Sequence, residues 1–243
     1  MGKEQRHLLL VNGNTTASLT ARLDRCAADF LGGDWAVSSE TARFGAGYIT
    51  QRAEATIAAH AVLATIGAAA QKTTFDACLI ACFGEPGIAA AREIFAFPVI
   101  GMAEASVLCA IQVARRFAIV TVGEHWPAML EDYLKANALH DRCCGIIPIA
   151  GQALDLANNR QLALEHIASA IRRAMECGAD AVIIGGAAVA GLANELREAF
   201  TIPLIDSLDA SLAQVEALAR MRVHNVACNP QPQNVLATTT EGL

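Results

Sequence analysis

The chain has 243 residues, of which 54% are hydrophobic and 17% are charged, and its formal net charge is −6. This composition excludes intrinsic disorder, which needs low hydrophobicity and high net charge. Because no cluster of Lys and Arg occurs along the chain, a nucleic-acid partner is not expected.

Short apolar runs alternate along the chain with longer alanine-rich runs. The runs typical of strands cover residues 7–11, 36–40, 77–81, 98–100, 117–122, 145–149, 181–184 and 204–205. The runs typical of helices cover residues 18–31, 50–70, 86–95, 103–114, 125–136, 161–177, 189–200 and 207–220. Continuous apolar strands between helices are typical of parallel sheets that helices cover on both faces, which predicts an α/β fold.

The cysteines and the apolar stretches of the sequence indicate where in the cell the protein is expected. The chain has eight cysteines, without the short, loop-rich context of a disulfide framework. The apolar stretch 8–11 is too short for the core of a signal peptide. The charge-free window 55–71 is mostly alanine and falls short of the roughly 20 strongly apolar residues of a membrane span. We therefore expect a cytoplasmic protein with reduced thiols and no membrane partner.

One segment of the chain occurs twice. The run D-A-C-L-I-A-C at 76–82 matches D-A-V-I-I-G-G at 180–186, an offset of 104 residues. The segment 93–105 matches 198–210 at an offset of 105 residues. A period of this length is too long for a solenoid, so it predicts two similar α/β lobes related by a pseudo-two-fold axis.

The predicted lobes enclose a cleft. The first lobe is expected to comprise residues 1–110 with 205–225, the second residues 111–204, and residues 226–243 form a C-terminal tail. Ligands in open parallel sheets bind beyond the carboxyl ends of the strands. The loops after Ala81 and Ile184 should therefore face each other across one active-site cleft.

The loop C-F-G-E-P-G at 82–87 places Cys82 where an apolar strand passes into a helix. Backbone N–H groups and the positive end of a helix dipole lower the pKa of a cysteine in such a place. The same N–H groups can hold a carboxylate or a developing enolate oxygen. The alternative interpretation is a buried core cysteine beside a tight turn.

The repeat places Gly186 opposite Cys82, in a loop of small residues that offers backbone N–H groups but no acid or base. Asn14 and Thr15 follow the first strand and can donate hydrogen bonds to a substrate, or can simply form a turn that caps the next helix. Tyr48 lies in a loop that could close over the cleft, although an ordinary surface loop is the preferred interpretation. The run 124–126 also follows a strand, where a structural role is preferred.

Several sequence runs resemble the hydantoin racemases of the aspartate/glutamate racemase superfamily. They are A-C-F-G-E-P-G at 81–87, F-P-V-I-G-M-A-E-A at 97–105, V-N-G-N-T at 11–15, F-A-I-V-T at 117–121 and P-L-I-D at 203–206. The resemblance covers roughly residues 8–220. It implies an isomerase that moves a proton at a carbon next to a carbonyl, with no cofactor and no metal. The implied substrate is a small molecule: a hydantoin, an amino acid or a related carboxylate.

The resemblance also implies the roles of particular residues. Two cysteines face each other across the cleft: one thiolate removes the proton, and the other thiol returns it on the opposite face. Cys82 corresponds to the first cysteine. The family run G-C-A-G-M corresponds to G-G-A-A-V at 185–189, so Gly186 stands where the second cysteine would be.

The same resemblance assigns binding roles around the two loops. Backbone N–H groups near Phe83 and Gly84, and near Ala187 and Ala188, are the expected donors to the enolate. Asn14, Thr15 and Tyr48 are the expected substrate contacts.

The glycine at position 186 leaves several interpretations open. A water, a histidine or Cys109 can stand in for the second thiol. The protein can instead be a one-base decarboxylase of the arylmalonate decarboxylase type, with Cys82 as proton donor. The glycine can also have been introduced by engineering, or the protein can be a small-molecule binder that has lost the chemistry. The alanine-rich helices and low charge further predict a homo-oligomer.

Overall fold

The apolar runs form two four-stranded parallel sheets in the computed structural model, which describes residues 5–225. The strands are β1 (Arg6–Asn12), β2 (Trp35–Thr41), β3 (Ala77–Ile80), β4 (Val99–Gly101), β5 (Phe117–Val122), β6 (Cys143–Ile149), β7 (Ala181–Gly185) and β8 (Leu204–Asp206). The first sheet has the order β2-β1-β3-β4 and the second has the order β6-β5-β7-β8. The prediction of an α/β fold with two parallel sheets is therefore confirmed, and the duplicated sequence corresponds to an identical strand order.

Nine α-helices surround the sheets within the described residues. They are α1 (Ala17–Leu31), α2 (Arg52–Ala70), α3 (Ile88–Ile94), α4 (Met102–Val113), α5 (Trp126–Ala136), α6 (Ala153–Asn158), α7 (Arg160–Glu176), α8 (Ala193–Leu196) and α9 (Ser207–Met221). Every residue of β3, β4, β5 and β7 is buried. Their near-continuous apolar sequences follow from this, because helices cover both faces of a parallel sheet.

Two predictions about helices are wrong. The single helix expected over 189–200 is broken, and only α8 within it is α-helical. Gly191 adopts a φ of +82°, and its N–H donates to the carboxylate of Asp206 at 2.7 Å instead of to a helical carbonyl. Similarly, α3 begins at Ile88 and not at Pro86, because Gly87 before it has a φ of +79°.

Each sheet is followed by a helix that packs against the other sheet. Helix α4 follows β4 of the first sheet and packs on β7 and β8 of the second. Helix α9 follows β8 of the second sheet and packs on β3 and β4 of the first, as well as on α1 and α4. The two sheets are therefore tied together by their own connecting helices. The lobe boundaries given above stay a prediction, and the tail 226–243 lies outside the described residues.

Helix α2 has the length and apolar composition to cross a membrane. Helices in the core of a globular protein also pass that test. In the structure α2 packs against β1 and α3, and Val62 and Ile66 on it are fully buried. This packing accounts for its apolar sequence.

Candidate active site

A small cavity lies where the carboxyl ends of the two sheets meet. Its volume of about 20 Å³ is room for roughly one water molecule. The residues that line it are Asn14, Tyr48, Ile49, Ala81, Cys82, Phe83, Thr121, Trp126, Gly186 and Ala187. The structure thus brings the two loops of the repeat, at Cys82 and at Gly186, to one enclosed space.

Cys82 is buried directly after β3, and its side chain is 8% exposed. The pKa of the Cys82 thiol is raised to about 11, mainly by burial and in smaller part by the nearby carboxyl of Glu85. The backbone N–H groups of Gly84 and Glu85 act on the sulfur in the opposite direction, but they do not overcome the burial. The expectation of a lowered pKa is therefore wrong for the closed site, because removing the thiolate from water outweighs two N–H donors.

Glu85 anchors the loop that carries Cys82. Its Oε1 accepts a hydrogen bond of 2.6 Å from the backbone N–H of Glu104, in the first turn of α4. Burial raises the pKa of this carboxyl to about 7, against the effect of the N–H donor. Glu104 in turn pairs with Arg92, so one polar cluster holds the loop, α3 and α4 together.

Gly186 adopts a φ of +119°, a conformation that residues with a side chain rarely adopt. A Cβ built on this backbone would lie 3.6 Å from the hydroxyl oxygen of Tyr48 and 3.8 Å from Oγ1 of Thr121. Space for a small side chain is therefore present, whereas the backbone favours glycine. The absence of a thiol here is built into the conformation of the loop.

Tyr48 reaches this region from the segment between β2 and α2. Burial of its hydroxyl raises the pKa of the phenol above its ordinary value, and the proximity of Cys82 raises it further. The backbone N–H of Ala188 and the guanidinium of Arg22 act on the pKa in the opposite direction. Tyr48 is therefore a cavity residue, and the preferred interpretation of an ordinary surface loop is wrong for this side chain.

Of the two predicted contacts after β1, only Asn14 faces the cavity. Its Oδ1 accepts hydrogen bonds from Asn12 Nδ2 and from the backbone N–H of Thr16, both at 3.0 Å. The Nδ2 amino group has no partner among the residues described, so it can donate to a ligand. Thr15 instead bonds the carbonyl of Ala46 through both its N–H and its hydroxyl, and it lies outside the cavity lining.

Comparison with known proteins places this arrangement in a family. A family model described as Asp/Glu/Hydantoin racemase matches residues 8–215. The chain belongs to the Asp/Glu/hydantoin racemase family. The family is one of isomerases, as the resemblance in the sequence implied.

Individual relatives agree with this membership. The hydantoin racemase of Rhizobium meliloti is 31% identical over 213 residues, which cover 87% of this chain and 88% of that protein. The structure of the allantoin racemase from Klebsiella pneumoniae is 30% identical, with a TM-score of 0.86 over 91% of this chain and 90% of that one. Unliganded arylmalonate decarboxylase shares the fold, with a TM-score of 0.60 and 12% identity over 88% of this chain and 93% of that one.

Two aromatic rings at the cavity connect the two halves of the structure, because each packs against a glycine of the opposite half. Phe83, in the loop after β3, packs against Gly185 at the end of β7. Trp126, at the start of α5, packs against Gly84, and its Nε1–H donates to the carbonyl of Ile49 at 3.1 Å. A Cβ on either glycine would overlap the ring that covers it. Phe83 thus lines the cavity and also joins the two lobes.

Arg22 lies beside the site and was not singled out by the sequence analysis, whereas Trp126 belongs to the run 124–126 for which a structural role was preferred. The guanidinium of Arg22 on α1 donates to the carbonyl of Ala187, and also to that of Ala157 at 3.3 Å, so it holds the Gly186 loop from the opposite lobe. No local pattern marks such a contact, because its partner lies 165 residues away. Trp126 does carry a signal, since it follows a strand within the run 124–126.

The remaining cysteines lie away from the cavity. Those that the structure describes are free thiols at positions 26, 78, 109, 143, 144 and 177. None of these six is among the lining residues, so Cys109 does not stand in for the second thiol in this conformation. Cys228 lies outside the described residues. Between residues 5 and 225, no group of three or more His, Cys, Asp or Glu side chains is arranged to hold a metal ion.

Proposed function

We propose that this protein is a cofactor-independent racemase that acts on a small cyclic or acyclic molecule with an acidic C–H next to a carbonyl. Hydantoins and allantoin are the first candidates, because similar proteins are named for them. The observation that carries the proposal is the cavity itself. It joins the Cys82 loop and the Gly186 loop at the carboxyl ends of the two sheets.

In the proposed reaction Cys82 exchanges the proton at the reacting carbon. The thiolate removes the proton, and the electron pair of the C–H bond moves into the carbonyl to form an enolate. The Nδ2 of Asn14 is the proposed donor to the enolate oxygen. Gly84 and Ala188 do not line the cavity, so their N–H groups are not proposed as donors to the enolate.

The substrate needs more room than the closed site provides. A cavity of about 20 Å³ holds about one water and no five-membered ring. The segment 42–51 is the proposed cover, since it carries Tyr48 and Ile49 and has no regular secondary structure. Opening would break the hydrogen bonds that Thr15, Thr16 and Trp126 donate to carbonyls of this segment. Opening also admits water to Cys82, which would bring the pKa of the thiol down toward its ordinary value.

The absence of a thiol at Gly186 favours a second candidate, a one-base decarboxylase. Loss of CO₂ would generate the enolate directly, and the Cys82 thiol would then donate the single proton that completes the product. A thiol that keeps its proton in the closed site suits this role. The two candidates give different products: a racemase converts one enantiomer into its mirror image, whereas a decarboxylase converts its substrate into CO₂ and a different compound.

The test incubates each enantiomer of a 5-substituted hydantoin, and separately of allantoin, with the protein in D₂O. Racemisation is expected, with incorporation of deuterium at the reacting carbon. Cys82→Ser should lower the rate by about 10²–10⁴-fold, the usual contribution of an acid–base group. Cys109→Ser, which removes a thiol outside the cavity, should leave the rate unchanged.

Exchange with retained configuration in the wild-type protein would instead support one-base chemistry. Arylmalonates are the substrates to try in that case. If neither exchange nor decarboxylation occurs with any of these compounds, and Cys82→Ser behaves as wild type, the protein is a binder and the proposal fails. A cytoplasmic location and a homo-oligomeric state stay predictions.

A further inference from the structure

We propose that the phenol of Tyr48 supplies the second proton of the racemisation, in place of the thiol that Gly186 lacks. This inference rests on the proposed function and names the group that completes it. Tyr48 comes from neither loop of the repeat but from the segment between β2 and α2. The sequence pattern therefore did not identify it as an acid.

The geometry places the phenol where the missing side chain would reach. The hydroxyl oxygen lies 3.6 Å from the Cβ position of residue 186. A cysteine sulfur lies one bond beyond its Cβ, so the phenol oxygen occupies the region that such a sulfur would enter. Tyr48 and Cys82 line the same cavity, which holds about one water, so a ligand seated there meets both groups.

The two groups approach from different sides. Cys82 lies just after β3 of the first sheet, whereas the Tyr48 hydroxyl lies beside Gly186, just after β7 of the second sheet. A carbon between them would meet a thiol on one face and a phenol on the other. Inversion at carbon requires this arrangement, since the proton leaves from one face and arrives at the opposite one.

The surroundings of the phenol suit a proton donor. Its O–H has no acceptor among the residues described, so the proton is free to be given to a ligand in the cavity. After transfer, the phenolate lies near the backbone N–H of Ala188 and the guanidinium of Arg22. Both of these groups favour the charged form.

The proton balance of one turnover is complete without a further reactant. The Cys82 thiolate takes the proton from carbon, and the C–H electron pair becomes the enolate. The Tyr48 O–H then gives its proton to the opposite face of that carbon and leaves a phenolate. A proton passing from the Cys82 thiol to the phenolate, directly or through water, restores the starting state, and the reverse sequence converts the other enantiomer.

Other side chains near Gly186 make weaker candidates. Thr121 Oγ1 lies 3.8 Å from the same Cβ position, but an aliphatic hydroxyl is a much weaker acid than a phenol. His125, which precedes Trp126, does not line the cavity, and Cys109 does not line it either. Of the two hydroxyl groups within 4 Å of that Cβ position, Tyr48 therefore carries the stronger acid.

The first experiment measures racemisation and solvent deuterium exchange of each enantiomer separately, in wild-type protein and in Tyr48→Phe. We expect Tyr48→Phe to lower racemisation by about 100-fold or more. Exchange of one enantiomer should continue with retained configuration, because Cys82 can still remove and return its proton. The control is Tyr133→Phe, which removes the other tyrosine of the chain. Tyr133 does not line the cavity, so this variant should racemise as wild type does.

Four outcomes would overturn the inference. Racemisation by Tyr48→Phe within about threefold of wild type means that another group supplies the proton. The same follows if Thr121→Val, and not Tyr48→Phe, abolishes exchange of one enantiomer. A wild-type protein that exchanges nothing defeats the proposed function itself, and a wild-type protein that exchanges one enantiomer with retention has one-base chemistry.

A second measurement keeps the test valid if Tyr48→Phe does not fold. Because the chain has two tyrosines, 3-fluorotyrosine incorporated into Tyr133→Phe protein labels Tyr48 alone. Fluorine makes the phenol more acidic at almost unchanged size. The alkaline limb of the racemisation pH profile should then move to lower pH relative to unlabelled Tyr133→Phe protein. A profile that does not move overturns the inference.

Discussion

The loops after β3 and β7 hold equivalent places in two sheets of identical strand order, and they present different chemistry to the same cavity. The loop after β3 ends its strand with a buried thiol at Cys82 and is anchored by Glu85 to α4. The loop after β7 has a glycine at the equivalent position, with a φ that favours glycine, and is held by Arg22 from the opposite lobe. Both loops also receive an aromatic ring from the other lobe on a neighbouring glycine.

This difference shows that duplication of the sheet and its loops does not determine which side chains line the cavity. The sheets and the positions of the two loops are shared by both halves, whereas the thiol at the strand end is present in one half only. The space beside Gly186 is filled by Tyr48, which comes from the segment between β2 and α2, outside the repeated sequence. Equivalent backbone positions therefore do not require equivalent catalytic groups.

The largest expected effect on stability concerns the crossed aromatic rings. Gly84→Ala places a methyl group against the Trp126 ring, and overpacking of this kind costs about 3 kcal/mol. Urea denaturation followed by tryptophan fluorescence would measure the loss. Gly33→Ala is the control, since nothing lies near its Cβ position, and it should change the stability by less than about 0.5 kcal/mol. Equal losses in both variants would contradict the ring contact.

The anchor of the Cys82 loop should respond to pH. The pKa of Glu85 is raised from 4.5 to about 7, so the folded state holds a proton that the unfolded chain releases. Raising the pH from about 4.5 to 7 therefore lowers the free energy of unfolding, by on the order of 2 kcal/mol from this group. Glu85→Gln keeps an oxygen acceptor for the Glu104 N–H and should flatten this part of the stability profile.

Thermal melts of wild type and Glu85→Gln across pH 4 to 8 would measure that change. Asp206, whose pKa burial raises to about 6, contributes in the same direction and remains in both proteins. The interpretation of Glu85 is wrong if the two profiles stay parallel throughout this range.

The Gly186 loop should be sensitive to backbone strain and not to crowding. Gly186→Ala meets no atom closer than 3.6 Å, but its φ of +119° is unfavourable for a side chain, at a cost of about 1–2 kcal/mol. Gly186→Cys should cost about the same. Chemical denaturation of both variants beside Gly84→Ala would separate the two mechanisms. A Gly186→Ala protein as stable as wild type would show that the loop relaxes without penalty.

The smallest expected effect concerns the exposed ion pair that joins the lobes, Arg52 on α2 with Asp132 on α5 at 2.6 Å. Both side chains are about 60% exposed (62% and 59%), so water and salt screen the pair. A double-mutant cycle of Arg52→Ala and Asp132→Ala should give a coupling of about 0.5 kcal/mol or less. A coupling comparable with the Gly84→Ala loss would mean that surface charge, not the crossed rings, holds the lobes together.

The regular elements of the fold were predictable, whereas irregular segments were not. Strands such as β3 and β7 are short continuous apolar runs bounded by turn residues, and this pattern is local. The region 189–200 was misassigned because its helical composition is overridden by a contact between Gly191 and Asp206. Helix α6 was missed because its six residues are too few for a clear periodic pattern.

The candidate site divides in the same way. Cys82 and Gly186 were placed opposite each other by the repeat, and Asn14 by its position after a strand. Thr15 turned out to bond Ala46, and the direction of the Cys82 pKa shift was opposite to the expectation. A loop sequence indicates the N–H donors that lower the pKa of a thiol, but it does not show how deeply the thiol is buried, and burial raises that pKa.

By itself, the sequence determined the α/β class, the duplication, the family and the one thiol at a strand end, because each depends on local patterns or on matching segments. The tertiary structure alone decided how closed the cavity is, and that Trp126 and Arg22 cross between the lobes to reach it. It also decided that the hydroxyl of Tyr48 lies beside Gly186. The physical reason is that burial and long-range contacts depend on side chains far apart in the chain, which come together only when both sheets and their exchanged helices are packed.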